Sequence, residues 1–146
     1  MAALGPLAVL GAAAWWLRQN WARIPPRFAI HWCLDGTPIG WAPRTFWGVY
    51  GILLLGAGVC LMLALMGYAT LHWAHSPHGT ADRAHRQATA WSLLAGGYML
   101  AVAFAATALL PLTQNPHPLM IGIIIMVPLL LAGVSAPVVK VYRTPE

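Results

Sequence analysis

The chain has 146 residues, of which 60% are hydrophobic and only 8% are charged, and its formal net charge is +5. This composition is typical of an integral membrane protein and argues against a soluble domain, because no polar stretch is long enough to form a separate core. The basic residues are scattered along the chain, so their charge indicates contact with anionic lipid headgroups and not with nucleic acid. The lipid bilayer is therefore the first partner that we expect.

The first apolar segment, residues 2–17, is near the lower limit for a transmembrane helix, which needs roughly 20 residues to cross the hydrocarbon core. Trp15 and Trp16 near its end are typical of a membrane interface. The segment lacks the basic start of a signal peptide, so we predict that it is retained as the first span.

The loop that follows, residues 18–45, is called the motif loop here. Its centre, Ile24 to Arg44, holds four of the twelve prolines and two of the eight tryptophans. Large apolar side chains stand at every second position from Phe28 to Trp32, which predicts a short extended segment. The sequence from Asp35 to Pro38 predicts a tight turn, since Gly36 is free to take a positive φ.

The order of residues in the motif loop resembles that of the SdpI-like family of small membrane proteins. The matching positions are Ile24, Pro25, His31, Trp32, Gly36, Pro38, Gly40 and Trp41. Two positions depart from the family pattern: Cys33 stands where the family has asparagine, and Ile39 stands where it has aspartate. The resemblance covers the loop and its flanking helices. It implies a bacterial protein that confers resistance to a membrane-active peptide or signals its presence.

The resemblance also names the residues that we expect to bind a peptide ligand: His31, Trp32, Gly36, Pro38 and Trp41. The glycine and the proline would set the shape of the loop, and the indole and imidazole rings would make contact. Two other interpretations stay open. The loop is a compact hairpin that only packs over the helix ends, or the alternating His31, Cys33 and Asp35 form a metal or catalytic site.

The second apolar segment, residues 46–71, has no charged residue. Four of its five glycines lie at near-helical spacing, and such small residues let another helix approach closely. Packing within this protein is the simpler explanation, and a face for a second copy is the alternative. The glycines are Gly48, Gly51, Gly56 and Gly58.

A histidine cluster follows in residues 72–87. His72, His75 and His78 recur every three residues, and imidazole is a common ligand for zinc and copper. The spacing is compatible with a metal site, and the simpler interpretation is a set of histidines at the membrane interface.

Two further apolar segments, residues 88–110 and 119–141, complete the predicted architecture. The short link between them, residues 112–118, makes them an antiparallel pair. The sequence therefore predicts an all-α membrane protein with four transmembrane helices and a structured Pro/Trp-rich loop between the first two. Lys and Arg are balanced between the two sides, so the orientation follows the resemblance: the motif loop outside the inner membrane and both termini in the cytoplasm.

No charged residue lies inside the four spans, which argues against a transporter that acts alone. Sequence motifs of common enzyme classes are also missing, so we predict a non-enzymatic protein without a cofactor. An alternative function is that of an accessory subunit, packed against other membrane protein subunits or a second copy of itself. A histidine-rich metal-binding membrane protein is a weaker alternative.

Overall fold

The computed structural model describes residues 4–33, 37–72 and 80–113, and this part of the chain is mostly helical. Its three α-helices are α1 (Gly5–Gln19), α2 (Phe46–His72) and α3 (Thr80–Leu109). Between α1 and α2 the chain forms strands β1 (Arg27–Trp32) and β2 (Pro38–Pro43), which pair as an antiparallel hairpin. Short 3-10 turns cover Trp21–Arg23 and Leu110–Leu112.

Two of the predicted spans have the length and composition needed to cross a membrane. They are α2, with a mean hydropathy of 2.4, and the segment His85–Leu112, with a mean hydropathy of 2.0. Helix α1 has 15 residues and is shorter than the roughly 20 that a span requires. The fourth predicted span, residues 119–141, lies outside the described residues. The four-helix architecture therefore stays a prediction.

Helix α3 begins at Thr80, two turns before the predicted start of the third span at Ala88. The prediction placed the boundary where the charged and polar residues end. Ala, Arg and Gln in this stretch favour helix whether or not they are apolar. The helix therefore extends beyond its apolar part.

Side chains stabilise the two helix ends that flank the hairpin. At the end of α1, the Asn20 side-chain amide donates to the Trp16 carbonyl oxygen at 3.0 Å. At the start of α2, the Thr45 hydroxyl oxygen accepts a hydrogen bond of 3.1 Å from the Gly48 N–H. Thr45 thus caps α2, because it satisfies one of the amide groups that lack a partner in the first helical turn.

The helices pack closely because α3 presents small residues to its neighbours. Ala101, Ala105 and Ala108 recur on one face of α3 and are buried. Phe104 packs over Gly56 of α2, where an added Cβ would lie 2.7 Å from the ring. The main cluster of buried residues lies at the hairpin end of the helices: Leu10, Ala13, Leu17, Ile24, Phe28, Ala42, Val49, Leu53, Cys60, Ala101, Ala105 and Ala108.

Of the four glycines predicted to form a packing face on α2, only some meet another helix. Gly56 receives Phe104 of α3, as packing within the protein requires. Gly51 and Gly58 face open space, with no atom within 4 Å of an added Cβ. The glycine face is therefore divided between an internal contact and an open surface.

Candidate recognition hairpin

The hairpin is closed at its base by Arg44, the first residue after β2. Its guanidinium donates a hydrogen bond of 2.7 Å to the carbonyl oxygen of Ile24. Its backbone N–H donates to the carbonyl oxygen of Pro26 at 2.8 Å. These two bonds hold the two ends of the hairpin together. We call the three residues that they join, Ile24, Pro26 and Arg44, the neck.

The base of the hairpin is anchored in the main core by three apolar side chains. Ile24 is only 1% exposed, Phe28 is 5% exposed, and Ala42, which pairs with Phe28 across the ladder, is 8% exposed. Burial of this kind removes apolar area from water or from lipid contact and fixes the orientation of the strands on the helices. The base is therefore the part that positions the tip.

The ladder between the strands is irregular in its middle. Arg27 to Ala29 pair regularly with Pro43 to Trp41, and the pairing of Trp32 with Pro38 returns to the same register. Between these pairs His31 lies opposite Gly40, which leaves Ile30 and Ile39 without a partner in the ladder. Such irregularities turn side chains away from strict alternation.

Three large apolar side chains are exposed on the hairpin. Trp41 is 53% exposed, Ile39 is 66% exposed and Ile30 is 40% exposed. Their exposure contrasts with the buried anchors a few residues away on the same strands. The alternation of Phe28, Ile30 and Trp32 predicted an extended segment, which is confirmed, but Ile30 does not share the burial of Phe28.

His31 is placed by the glycine opposite it. The imidazole is exposed, and an added Cβ on Gly40 would lie 3.0 Å from its Nδ1 atom. Any larger residue at position 40 requires the imidazole to move. Gly40 therefore defines the position of His31 across the ladder.

The structure brings together three of the five predicted binding residues as described side chains. His31, Pro38 and Trp41 are all exposed on the hairpin. The backbone of Trp32 pairs with Pro38, but its side chain lies outside the described part of the structure, as does Gly36. The predicted contact of all five residues with a ligand stays a prediction.

The two cysteines lie in different surroundings. Cys33 is exposed beside the hairpin tip, where its backbone N–H donates to the Thr37 carbonyl oxygen at 2.8 Å. Cys60 is buried, and its thiol lies 3.4 Å from the carbonyl oxygen of Gly97. Asp35, the third member of the predicted His–Cys–Asp arrangement, lies outside the described residues.

The predicted metal site lies largely outside the described residues. His72 is exposed at the end of α2, and its ring lies 4.3 Å from that of Tyr68, centroid to centroid. His75 and His78 are not among the described residues. In the part of the chain that is described, no group of three or more His, Cys, Asp or Glu side chains is placed to hold a metal ion.

Aromatic rings form a second feature near the hairpin that the sequence analysis did not identify. Trp21 stacks on Tyr50 with ring centroids 6.0 Å apart, and Phe46 lies 5.2 Å from the same tyrosine ring. Together with Arg18 these residues line an open cavity of about 470 Å³. They come from three elements of the chain, so their sequence spacing alone gives no signal of the cluster.

The roles of Ile39 and Arg44 were not predicted from the sequence. Ile39 was noted only as a departure from the family pattern, and Arg44 only as the end of the motif-loop centre.

No model of a known protein family matches the chain, and neither the curated proteins nor the solved structures contain a match.

Proposed function

We propose that the chain is a non-enzymatic integral membrane protein whose hairpin is a recognition surface for a membrane-active peptide. The observation that carries the proposal is the exposure of Trp41, Ile39 and Ile30 on a hairpin whose base is buried. Exposed aromatic residues next to aliphatic ones, on a fixed backbone, are typical of binding surfaces. The resemblance of the motif loop to the SdpI-like family adds the class of ligand and a role in immunity or signalling.

The anchored base is what makes the exposed side chains of the strands suitable for recognition. An unanchored loop loses conformational entropy when it binds, and this loss weakens the affinity. Here the Arg44 bonds and the burial of Phe28 fix the strands before any ligand arrives. The exposed apolar side chains are therefore preorganised for binding.

The proposal includes a location in the inner membrane, with four spans, the hairpin outside and both termini in the cytoplasm. The length and hydropathy of α2 and of His85–Leu112 support the membrane location. The sidedness is supported by the resemblance, since the balance of Lys and Arg does not decide it. A peptide that acts on the membrane from outside then meets the hairpin directly.

Sidedness is tested with the native thiols. Intact cells are labelled with a membrane-impermeant maleimide, with a permeabilised sample and a Cys33→Ser variant as controls. We expect Cys33 to react in intact cells because it is exposed at the hairpin, whereas Cys60 is buried. Reaction of Cys33 only after permeabilisation would place the hairpin in the cytoplasm and contradict recognition of an external peptide.

Recognition is tested by survival of cells challenged with the membrane-active peptides that the same culture secretes. We expect Trp41→Ala and Trp32→Ala to abolish protection while the protein still inserts. Trp47→Ala is the matched control, since Trp47 is 73% exposed on the first turn of α2 and lies outside the hairpin. Full protection by both hairpin variants at normal membrane levels would contradict the proposal.

A second candidate function is that of an accessory subunit, and the open glycines of α2 favour it. Gly51 and Gly58 are two turns apart, and neither has an atom within 4 Å of an added Cβ. A helix of another subunit or of a second copy would fit against such a surface. Purification in mild detergent tests this: a stoichiometric partner that is lost in Gly58→Leu supports it, and a monomer contradicts it.

A further inference from the structure

An apolar groove runs between α2 and α3 on the side away from the hairpin. Its volume is about 340 Å³, and its walls include Cys60, Ala64 and Gly67 of α2 and Leu94 and Gly97 of α3. Sites for small molecules have volumes of roughly 300–1,000 Å³ and mostly apolar walls. The groove therefore has the size and lining of a binding site.

Helix α1 closes the deep end of this groove. Pro6 is one of the lining residues, and an added Cβ on Gly97 would lie 3.6 Å from its ring. Gly5 lies against the Tyr98 side chain, so α1 begins about midway along α3. From there α1 covers the hairpin half of the α2–α3 pair, and the groove continues along the other half.

The length of the groove matches one leaflet of a bilayer. Its lining on α2 extends from Cys60 to Leu71, which is about 16 Å at the rise of an α-helix. The hydrocarbon core of a bilayer is roughly 30 Å thick, so one leaflet contributes about half of that. An occupant that enters from one leaflet and stops at the midplane fits these dimensions.

The end of the groove nearest the α2–α3 turn is more polar than the end at Pro6. Tyr68, Gln87 and Trp91 line it there, at the level where α2 ends. Arg86 immediately precedes Gln87 on α3 and carries a positive charge. This charge is complementary to an anionic headgroup, and basic sites between helices near the membrane surface bind such headgroups.

From these features we infer that the groove binds an acyl chain of an anionic phospholipid from the leaflet on the α2–α3 turn side. The acyl chain lies along Ala64, Gly67 and Leu94, and its methyl end lies at Pro6. The headgroup lies at the level of Gln87 and Arg86. The inference rests on the membrane location proposed above and is independent of peptide recognition by the hairpin.

The alternative occupant is the predicted fourth span, residues 119–141. That span would enter from the hairpin end, beyond Thr113, and cross the full depth of the bilayer. In the hairpin half, α1 already occupies the space into which the groove would continue, because Pro6 lies against Gly97 at the end of the groove. A half-depth groove closed by Pro6 is thus better matched to a lipid chain than to a helix of full length.

The test uses the full chain in vesicles that contain phosphatidylglycerol or phosphatidylcholine, each with a photoreactive group at the middle of one acyl chain. We expect the phosphatidylglycerol probe to label Leu63, Ala64 or Leu94 several-fold more than the phosphatidylcholine probe does. Gly67→Leu fills the groove and should reduce this labelling several-fold. Gly96→Leu is the matched control, because an added Cβ at Gly96 has no atom within 4 Å and Gly96 is not among the residues that line the groove.

A second variant covers the case in which Gly67→Leu fails to fold. Arg86→Gln leaves the groove open and should remove most of the preference for phosphatidylglycerol. Equal labelling by both probes, or labelling of the exposed Leu55 and Leu61 as strong as that of the groove, would overturn the inference.

Disulfide cross-linking tests the fourth span in a background with Cys33→Ser and Cys60→Ala. An Ala64→Cys variant that forms a disulfide with a cysteine placed within residues 119–141 would show that the chain fills its own groove, and the inference would then be wrong. Recovery of the protein in the vesicle fraction tests the membrane location separately, so a failure of that premise is distinguishable from a failure of the lipid site.

Discussion

The two halves of the α2–α3 pair are packed in different ways. In the hairpin half, the space is filled by α1, the neck and the base of the hairpin. Leu17 and Ile24 are almost completely buried there. In the other half, the described residues leave an apolar groove beside Ala64 and Gly67. The same two helices thus contribute to a closed protein core at one end and to an open, ligand-sized space at the other.

This difference separates two ways of using apolar side chains. Around Phe28 they stabilise one arrangement of the chain, and substitutions there should be measured as a loss of stability. On the hairpin, Ile39 and Trp41 are exposed, so substitutions there should change binding and leave stability nearly unchanged.

The largest effect on stability is expected for Phe28→Ala in the closed half. Removal of a buried phenylalanine side chain typically lowers the free energy of unfolding by about 3–5 kcal/mol. Phe28 is 5% exposed and anchors β1 in the core. The measurement is the temperature of half-aggregation in mild detergent, with Ile39→Ala as the exposed control. Similar shifts for the two variants would contradict the contrast between anchor and surface.

Arg44→Met should have the next largest effect, because it removes the side-chain donor to the Ile24 carbonyl oxygen. A hydrogen bond from a charged group contributes about 1.5–3 kcal/mol. Limited proteolysis of the hairpin should then become faster. Arg23→Met is the control, since the Arg23 guanidinium donates to the Asn20 side-chain oxygen in an exposed position. No difference in cleavage rate between the two variants would mean that the neck does not stabilise the hairpin.

The boundary between the two halves is tested with a pair of glycines on α2. Gly56→Ala places a methyl group 2.7 Å from the Phe104 ring, and such overpacking typically destabilises by about 1–3 kcal/mol. Gly58→Ala meets no atom within 4 Å and should be neutral or slightly stabilising, because alanine favours helix over glycine. Thermal aggregation of both variants measures this, and the reverse order of stability would contradict the α2–α3 contact.

The smallest effect is expected for Thr45→Ala, which removes the cap of α2. Loss of an N-cap side chain typically lowers stability by about 1 kcal/mol. Thr45→Ser keeps the hydroxyl oxygen that accepts from Gly48 and should retain most of that stability. If serine and alanine lower the aggregation temperature equally, the hydroxyl has no capping role.

The sequence predicted β1 but gave no clear signal of β2. Alternation from Phe28 onward indicated an extended segment, whereas Pro38, Gly40 and Pro43 are all unfavourable within a sheet. In a hairpin of two strands, however, each strand is an edge, so a missing proline N–H is tolerated when it points away from the partner. Pro38 and Pro43, which argued against a strand in the sequence, are therefore compatible with the position of β2 in the hairpin.

The features that the sequence could not predict depend on distances between remote residues. The bond from Arg44 to Ile24 joins residues 20 positions apart, and nothing in either neighbourhood indicates it. The groove likewise depends on where α1 begins relative to α3, which periodicity does not determine. The hydrophobic pattern predicted α2 and the apolar part of α3, because each is a continuous apolar segment.

The neck has a further consequence for how the hairpin tip can change. Because Arg44 closes the loop on both Ile24 and Pro26, the ends of the hairpin are held at a fixed separation whatever lies between them. Closing a loop twice as long costs only about 0.6 kcal/mol more in chain entropy. The tip is thus free to vary in length and sequence during evolution while the helices below it keep the same packing.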